Sequence, residues 1–402
     1  MVTPCLRVSR DQLPEADDVK PHSDAETEAD LIGTQCDHGI RPEERCPVER
    51  ALPQLRPAVA GLPGYVAGRK AHGDGIAALA SNESHYPPLP KVLAAIEATA
   101  GRVNRYPDMA SIALRQRIAE VNGVGSEEVA VGPGSVGVLA QLVAALCDPG
   151  DEVAFAWRSF EAYPILCQLA GAVPVRVPLT PDASHDLPAI AAAITERTKL
   201  VLLCSPNNPT GTTITPADLD GFLASVPSTV LVVLDEAYRE FMAEPPDSLG
   251  LYRAHPNVCL LRTFSKAHGL AGLRVGYAIA RPEIAEGLRR AQVPFSVSSV
   301  AEAAALAALD SAEEVARRAA TVVAERPRVE AAARALGWDV PSGDANFVWL
   351  RCGDAERERL VAAFDDAGIL VRGYAGDGIR VTLADPASND RVLSVLAAFA
   401  GR

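Results

Sequence analysis

Short apolar runs alternate with amphipathic segments along most of the chain after Leu62. Residues 91–99 and 111–121 carry apolar side chains at the three- and four-residue spacing of a helix. Apolar runs of strand length occur at residues 129–132, 152–156, 173–177, 200–204, 230–234, 258–262 and 275–280. Because short, continuously apolar strands joined by helices are typically buried on both faces, the pattern predicts an α/β fold with a mainly parallel sheet.

The end of the chain follows a different pattern. A long alanine-rich helical region begins after about residue 285, and two strand-like pieces follow at residues 346–350 and 379–381. They predict a second, smaller α/β domain. The first 55 residues are acidic and proline-rich without a sustained apolar period, which is typical of disorder. We therefore predict a disordered acidic tail (1–55), an N-terminal segment packing on the small domain (56–100), a large domain (101–283) and a small C-terminal domain (284–402).

Composition narrows the classes of function. The chain has 402 residues and a formal net charge of −13, which argues against a nucleic-acid surface because phosphate backbones need clustered cations. No run of eighteen apolar residues and no secretion signal is present, so we expect a cytoplasmic protein without membrane contact. The eight cysteines lack repeated spacing and are expected to be free thiols. Cys36, His38 and Cys46 lack a paired Cys-x-x-Cys, so we predict no metal site.

Polar residues directly follow several predicted strands, at the sheet edge where parallel α/β proteins usually bind ligands. Gly132-Pro133-Gly134-Ser135 opens a helix and suits either a phosphate or an ordinary helix start. Asn208, flanked by prolines, either makes a turn or presents a fixed amide. Asp235 either caps a helix or meets a buried cation, because a carboxylate at the end of an apolar strand is otherwise costly.

Lys266 is the strongest candidate for chemistry. It is one of only five lysines, and it lies among Phe264, Ala267 and Leu270. Desolvation by such neighbours lowers the pKa of a lysine and favours the neutral amine that attacks an aldehyde.

The neighbours of Lys266 are polar as well as apolar. Thr263, Ser265 and Arg274 supply the hydroxyls and the guanidinium that bind a phosphate. An amine, a carboxylate, an amide, a phenol and a phosphate site together match pyridoxal 5'-phosphate (PLP).

The order of these motifs resembles the fold-type I PLP-dependent aminotransferases of the histidinol-phosphate branch. The motifs are Asn208-Pro209-Thr210-Gly211, Asp235-Glu236-Ala237-Tyr238 and the segment 265–274, with further matches at residues 81–83, 104–108 and 378–382. The resemblance covers about residue 58 to the C-terminus. Within the branch, residues 155–164, 293–299 and 345–350 look most like the actinobacterial aromatic amino acid (phenylalanine) aminotransferases.

The resemblance implies roles for the residues that bind the cofactor. Lys266 would bind PLP covalently and then move the proton at the substrate α-carbon. Asp235 would keep the pyridine nitrogen protonated, while Asn208 and Tyr238 would bond the ring oxygen and Phe160 would stack on the ring. The phosphate would be held by Ser135, Val136, Ser265 and Arg274, and by Tyr106 of a partner subunit, so that a homodimer is required.

The resemblance also implies how small-molecule amino acid and 2-oxo acid substrates bind. Arg380 would bind the α-carboxylate, with Asn208, Tyr65 and Arg372 nearby. From the residue types, we expect Tyr65, Trp157, Tyr163 and Phe295 to form apolar walls for an aromatic side chain. Arg372 is the obvious second cation for a phosphorylated substrate.

The chain departs from the branch in two places. His268 stands where these enzymes more often carry tyrosine, and His85-Tyr86-Pro87 replaces the usual Asn-Pro-x-Gly. We expect both near the substrate entrance. The preferred hypothesis is transfer of an amino group from phenylalanine or tyrosine to 2-oxoglutarate by a ping-pong mechanism. Alternatives are a histidinol-phosphate aminotransferase, a PLP-dependent decarboxylase of related fold and a non-enzymatic binding protein.

Overall fold

The computed structural model of this protein describes residues 53–62, 64 and 75–400. Contacts between Cα atoms divide the chain into two units, Met1–Gln54 and Leu55–Arg402. Nearly all of the predicted tail, including Cys36, His38 and Cys46, lies outside the described residues, and so does Tyr65.

The described part of the chain contains thirteen α-helices and twelve β-strands. The helices are α1 (Pro57–Ala60), α2 (Pro90–Ala100), α3 (Ile112–Asn122), α4 (Gly134–Leu146), α5 (Ala162–Ala170), α6 (Leu187–Ala192), α7 (Pro216–Ser225), α8 (Ser248–Ala254), α9 (Pro282–Arg290), α10 (Ser299–Leu309), α11 (Ala312–Ala335), α12 (Asp354–Asp366) and α13 (Pro386–Ala400). The strands are β1 (Ala77–Ala78), β2 (Val129–Gly132), β3 (Glu152–Trp157), β4 (Val173–Pro178), β5 (Thr198–Cys204), β6 (Leu231–Asp235), β7 (Val258–Thr263), β8 (Gly276–Ile279), β9 (Phe347–Arg351), β10 (Ile369–Leu370), β11 (Arg372–Tyr374) and β12 (Gly378–Thr382).

A seven-stranded sheet forms the centre of the large domain, in the order β2-β8-β7-β6-β5-β3-β4. Within this described sheet only β8 runs antiparallel to its neighbours, β2 and β7. Antiparallel pairing of β8 with both leaves β2 and β7 parallel to each other. The predicted α/β class and mainly parallel sheet are therefore confirmed.

The two faces of this sheet pack into two separate apolar clusters. Val201 and Leu203 of β5 belong to one cluster, whereas Leu200 and Leu202 belong to the other. The strand is buried along nearly its whole length, because successive side chains point to opposite faces and helices cover both. This explains why the strand reads as a continuous apolar run in the sequence.

A smaller antiparallel sheet, in the order β11-β12-β9, lies in the C-terminal part of the chain. Helix α13 packs against α11 and α12, and α11 contacts β9. Strand β1 pairs in parallel with β10, so residues near the start of the described chain join this C-terminal layer. The domain boundaries at residues 100 and 283 stay a prediction.

Two sequence expectations concern thiols and membranes. Cys147, Cys167, Cys204, Cys259 and Cys352 are free, which confirms the expectation for these five cysteines. Among the described residues, no helix combines the length and the apolar character that spanning a membrane requires.

His185 is a buried histidine whose two ring nitrogens have no hydrogen-bond partner among the described residues. Burial lowers the pKa of His185 to about 4, from an ordinary value of 6.5. Between these two pH values the unfolded chain binds a proton at this position that the folded chain does not. The folded state therefore loses stability as the pH falls through this window.

We expect the free energy of unfolding to decline more steeply from pH 6.5 to pH 4 in the wild type than in a His185→Leu variant. The difference in slope should be at most about 1.4 kcal/mol per pH unit. Urea denaturation at a series of pH values measures both slopes, and His268 is retained in both proteins. Equal slopes would contradict this prediction. Above about pH 7 the difference in free energy of unfolding between the two proteins should not vary with pH.

Candidate active site

A cavity of about 210 Å³ opens at the carboxyl ends of the large-sheet strands and is bounded on its far side by β11 and β12. Eleven of the residues predicted to bind cofactor or substrate line it. They are Ser135, Val136, Phe160, Asn208, Asp235, Tyr238, Ser265, Lys266, Arg274, Arg372 and Arg380. The ends of the large-sheet strands bring together groups as distant in sequence as Ser135 and Arg274, because parallel strands share one carboxyl edge. Tyr106 does not line the cavity in the described chain.

Lys266 follows β7 in a turn and extends its amine into the cavity. Its Nζ donates a hydrogen bond to the carbonyl oxygen of Ser81 at 2.9 Å. Burial, followed by the positive charge of Arg380, lowers the pKa of Lys266 to about 7. A large fraction of this amine is therefore neutral and nucleophilic near neutral pH.

Asp235 ends β6 and is 4% exposed. Tyr163 donates its hydroxyl hydrogen to Oδ2 of Asp235 at 2.7 Å, and the amide of Ala237 donates to Oδ1 at 3.3 Å. Burial nevertheless raises the pKa of Asp235 to about 6. A cationic ring nitrogen next to this carboxylate would stabilise its charged form, which is the environment a protonated pyridine needs.

The amino end of α4 and the Arg274 guanidinium form an anion site. Gly134 begins α4 at a φ of 76°, and a Cβ there would lie 2.4 Å from Nη2 of Arg274. Nη1 of Arg274 donates to Ser265 Oγ at 3.2 Å, and among the described residues Arg274 has no carboxylate partner. A Cβ on Gly276 would lie 2.4 Å from the Ser135 nitrogen.

These close contacts explain why positions 134 and 276 carry glycine, which has no Cβ. Side chains at Gly134 or Gly276 would displace the backbone amides and the guanidinium that face the cavity. Free amides at a helix start and an unpaired guanidinium attract a phosphate.

Arg380 on β12 is buried beside Asn208. Its Nη1 donates to Asn208 Oδ1 at 2.5 Å and its Nη2 to the carbonyl of Ala80 at 2.7 Å. Its Nε is buried without a partner among the described residues, which leaves a donor available to a substrate carboxylate.

The segment that precedes α2 supplies contacts which the sequence interpretation did not assign. Asn82 Nδ2 donates to the Tyr238 hydroxyl at 2.9 Å, and Thr382 donates to Asn82 Oδ1 at 3.0 Å. Ala80 and Ser81 accept hydrogen bonds from Arg380 and Lys266 through backbone carbonyls. The match of residues 81–83 to the aminotransferase branch was the only signal for this segment, since a carbonyl contact leaves no mark on side-chain type.

Three of the predicted aromatic walls lie elsewhere. Tyr163 is fully buried beneath Asp235 and bonded to it, so it cannot touch a substrate side chain. Trp157 lies between the guanidiniums of Arg158 and Arg176, 4.6 Å and 4.7 Å from its ring centre. The expectation was wrong for these two, because buried polar atoms and cations already occupy their ring faces and edges.

Phe295 is also absent from the cavity lining. It stacks on Tyr106 with ring centres 4.5 Å apart, and Tyr106 is 82% exposed. Aromatic surface in the described cavity comes instead from Phe160, Tyr238 and Tyr374.

The two departures from the aminotransferase motif do not line this cavity either. His268 packs edge-on against Phe264 at 4.9 Å between ring centres, whereas Lys266 of the same turn lines the cavity. His85 packs against the neighbouring Tyr86 ring at 4.0 Å. Both histidines therefore pack against aromatic side chains outside the cavity lining.

The cavity meets the requirements of PLP on its own chemistry. It offers an amine of lowered pKa at Lys266, a buried carboxylate at Asp235 and an anion site at Arg274. Residues 74–396 match the family described as aminotransferase class I and II. This chain belongs to that family. It is a PLP-dependent aminotransferase with the type I fold.

Several members of the aminotransferase family are similar to this chain over most of its length. An aromatic amino acid aminotransferase from Streptomyces coelicolor is 53% identical over 354 residues, covering 86% of this chain and 98% of the relative. One from Thermobifida fusca is 51% identical over 358 residues, covering 88% and 99%. The crystal structure of a histidinol-phosphate aminotransferase from Sinorhizobium meliloti with PLP is 30% identical, with a TM-score of 0.80, and covers 88% and 99%.

Membership of this family excludes one of the alternative hypotheses. An aminotransferase is an enzyme, so the hypothesis of a non-enzymatic binding protein is excluded. Aminotransferases act on small molecules, namely amino acids and oxo acids. The predicted type I fold and the predicted cofactor are both confirmed.

The lowered pKa of Lys266 predicts how the apo-protein takes up its cofactor. We expect the rate of covalent PLP uptake to rise as the pH increases through about 7 and then to level off, because the neutral amine is the nucleophile. Lys266→Ala should abolish both uptake and turnover, whereas Lys199→Ala, at a lysine outside the cavity, should change neither. Stopped-flow absorbance at a series of pH values gives the rates. A rate that keeps rising to about pH 10, or borohydride labelling of a different lysine, would overturn the assignment.

Proposed function

We propose that this aminotransferase transfers the amino group of an aromatic L-amino acid, phenylalanine or tyrosine, to 2-oxoglutarate in a ping-pong reaction. The observation that carries the proposal is the composition of the cavity. Arg380 is the arginine available to an α-carboxylate, while Arg372 already pairs with Glu161. A neutral aromatic side chain requires no further cation. The names of the relatives that are 50–53% identical support the same substrate class.

Lys266 is the proposed catalytic residue. When bound, PLP supplies an electron sink for the carbanionic charge that develops at the substrate α-carbon. Lys266 would hold the cofactor through Nζ until the substrate amine displaces it, and the freed neutral amine would then carry a proton between the substrate α-carbon and the C4' atom of the cofactor. The pKa of about 7 suits a group that both takes and gives a proton near neutral pH.

Other residues hold the reactants in place. Asp235 supplies a negative charge for the pyridine nitrogen, and Tyr163 keeps one oxygen of Asp235 oriented. Asn208, Tyr238 and Phe160 all line the cavity, and we propose that the first two bond the ring oxygen while Phe160 stacks on the ring.

The cofactor phosphate and the substrate α-carboxylate need separate anion sites. Ser135, Val136, Ser265 and Arg274 are proposed to hold the cofactor phosphate at the start of α4. Arg380 is proposed to bind the substrate α-carboxylate, held in position by Asn208 and the Ala80 carbonyl. Bidentate binding of the carboxylate by Arg380 would fix the α-carbon near Lys266.

Histidinol phosphate is a second candidate substrate, because a histidinol-phosphate aminotransferase is among the structural neighbours. A phosphate-bearing side chain would need convergent cations. Arg372 is the remaining pocket arginine for that purpose, and its charge is already balanced by Glu161 at 2.8 Å. This pairing favours the aromatic substrate.

We expect phenylalanine or tyrosine with 2-oxoglutarate to give a kcat/KM at least roughly a hundredfold above that of histidinol phosphate, because an inadequately paired phosphate costs a few kcal/mol. Arg380→Ala should lower kcat/KM for every substrate. Steady-state kinetics with both donors measures the ratio of the kcat/KM values. Initial velocities at varied concentrations of donor and acceptor test for the parallel double-reciprocal lines of a ping-pong reaction. A comparable preference for histidinol phosphate would overturn the aromatic assignment.

We also propose that the enzyme works as a homodimer. Tyr106 is 82% exposed and stacks on the exposed Phe295. Residues close to these two in sequence are exposed and apolar as well: Val103, Met109, Ile112 and Val293. An exposed apolar patch of this kind is typical of a subunit interface. Tyr106 is proposed to reach the cofactor phosphate of the partner subunit, so that each site is complete only in the dimer.

Tyr106→Phe should leave the subunits folded and paired but weaken PLP retention by roughly tenfold, since one hydrogen bond to a charged group is lost. Tyr86→Phe is a matched control, because the Tyr86 hydroxyl bonds to Thr321 within the same chain. Dialysis against buffer without PLP, followed by absorbance, measures retention, and light scattering measures the mass. Full activity of a monomer would contradict the proposal.

A further inference from the structure

Two ion pairs join the loop that follows β3 to the β11–β12 hairpin. Glu161 Oε2 accepts a hydrogen bond from Nη2 of Arg372 at 2.8 Å. Asp377 Oδ2 pairs with Arg158 Nη2 at 2.5 Å. Both partners of the first pair line the active-site cavity, whereas neither partner of the second pair does. The first pair therefore faces the substrate, and the second only connects the same two segments.

Arg372 and Arg380 are direct partners in the antiparallel register of β11 and β12. Residues opposite each other in such a pair project from the same face of the sheet, and both arginines line the cavity. Their charges are balanced differently. Among the described residues, Arg380 has no carboxylate within ion-pairing distance, while Arg372 has Glu161.

The ion pair between Arg372 and Glu161 is largely shielded from solvent. The side chains of Arg372 and Glu161 are 12% and 28% exposed. The Arg372 guanidinium also lies 5.6 Å from the ring centre of Tyr374, another residue of the cavity wall. An acidic group entering this part of the cavity would have to displace the Glu161 carboxylate or lie beside it. Two like charges at close range in a partly desolvated site repel each other.

We propose that Glu161 is a specificity-determining residue, which masks Arg372 and so disfavours substrates with an anionic side chain. The inference rests on the proposed function and deepens it, because it explains how the cavity accepts a neutral aromatic side chain. The distal carboxylate of 2-oxoglutarate is anionic, so Glu161 weakens the binding of the acceptor as well.

Binding of two unreactive analogues to the holoenzyme tests this proposal without turnover. Glutarate resembles 2-oxoglutarate without its oxo group, and 3-phenylpropanoate resembles phenylalanine without its amino group. In Glu161→Gln the Kd of glutarate should fall about tenfold, because Arg372 loses its competing partner. The Kd of 3-phenylpropanoate should change less than about twofold, because its ring carries no charge. Isothermal titration calorimetry measures both constants.

Two further variants separate masking from general loosening of the site. Asp377→Asn removes the ion pair that joins the same two segments outside the cavity, so the ratio of the two Kd values should stay at the wild-type value. The double variant Glu161→Gln/Arg372→Gln should lose the gain in glutarate affinity, because the gain requires the Arg372 guanidinium released from Glu161. Circular dichroism confirms that each variant is folded.

The outcomes are distinguishable from those of the proposed function. An unchanged glutarate Kd in Glu161→Gln overturns the masking role, and so does an equal gain in Asp377→Asn or a gain that persists in the double variant. These results hold whichever amino donor the wild type prefers. Conversely, a wild type that prefers histidinol phosphate removes the proposed function, while the analogue titrations still report whether Glu161 masks Arg372.

Discussion

The buried carboxylate of Asp235 sets the conditions for the rest of the site. It lies at the end of a fully buried strand, where leaving a charge unbalanced is costly, and within the described chain its direct hydrogen-bond donors are the Tyr163 hydroxyl and one amide. Its pKa is raised to about 6 as a result. Such a position is stable as a charged group only when a cation comes close. The cationic pyridine nitrogen of PLP would meet that need, so that cofactor binding and the burial of Asp235 would support each other.

The same low-polarity environment acts in the opposite direction on Lys266. Burial disfavours its charged form and lowers its pKa to about 7. One environment therefore produces both a carboxylate that seeks a cation and an amine that is available as a nucleophile. The carboxyl ends of β6 and β7, which are neighbours in the sheet, place the two groups in one cavity.

The cavity needs both sheets to be complete. The large sheet contributes the groups proposed to hold the cofactor, and β11 and β12 contribute Arg372 and Arg380. Backbone carbonyls of Ala80 and Ser81 connect the two sets, since one accepts from Arg380 and the other from Lys266. Specificity for the side chain then depends on the charge balance at Arg372, while the chemistry depends on the strand ends. This division explains how relatives of one family share a reaction and differ in substrate.

The sequence by itself determined the strands of the large sheet and the residues at their ends. Apolar runs predicted β2 and β7 to within one residue, and the polar residues after each strand identified Lys266, Asp235 and Arg274. These features depend on local pattern, because a buried strand must be apolar and its end must turn.

Only the tertiary structure decided which distant residues meet. Tyr163 bonds Asp235 from 72 positions away, and its aromatic character suggested a substrate wall instead. Glu161 meets Arg372 across 211 positions, and no local pattern distinguishes it from a surface glutamate. Such pairs follow from the order of the strands in the sheets, which places loops far apart in sequence at one edge. Local hydrophobic periodicity carries no information about that order.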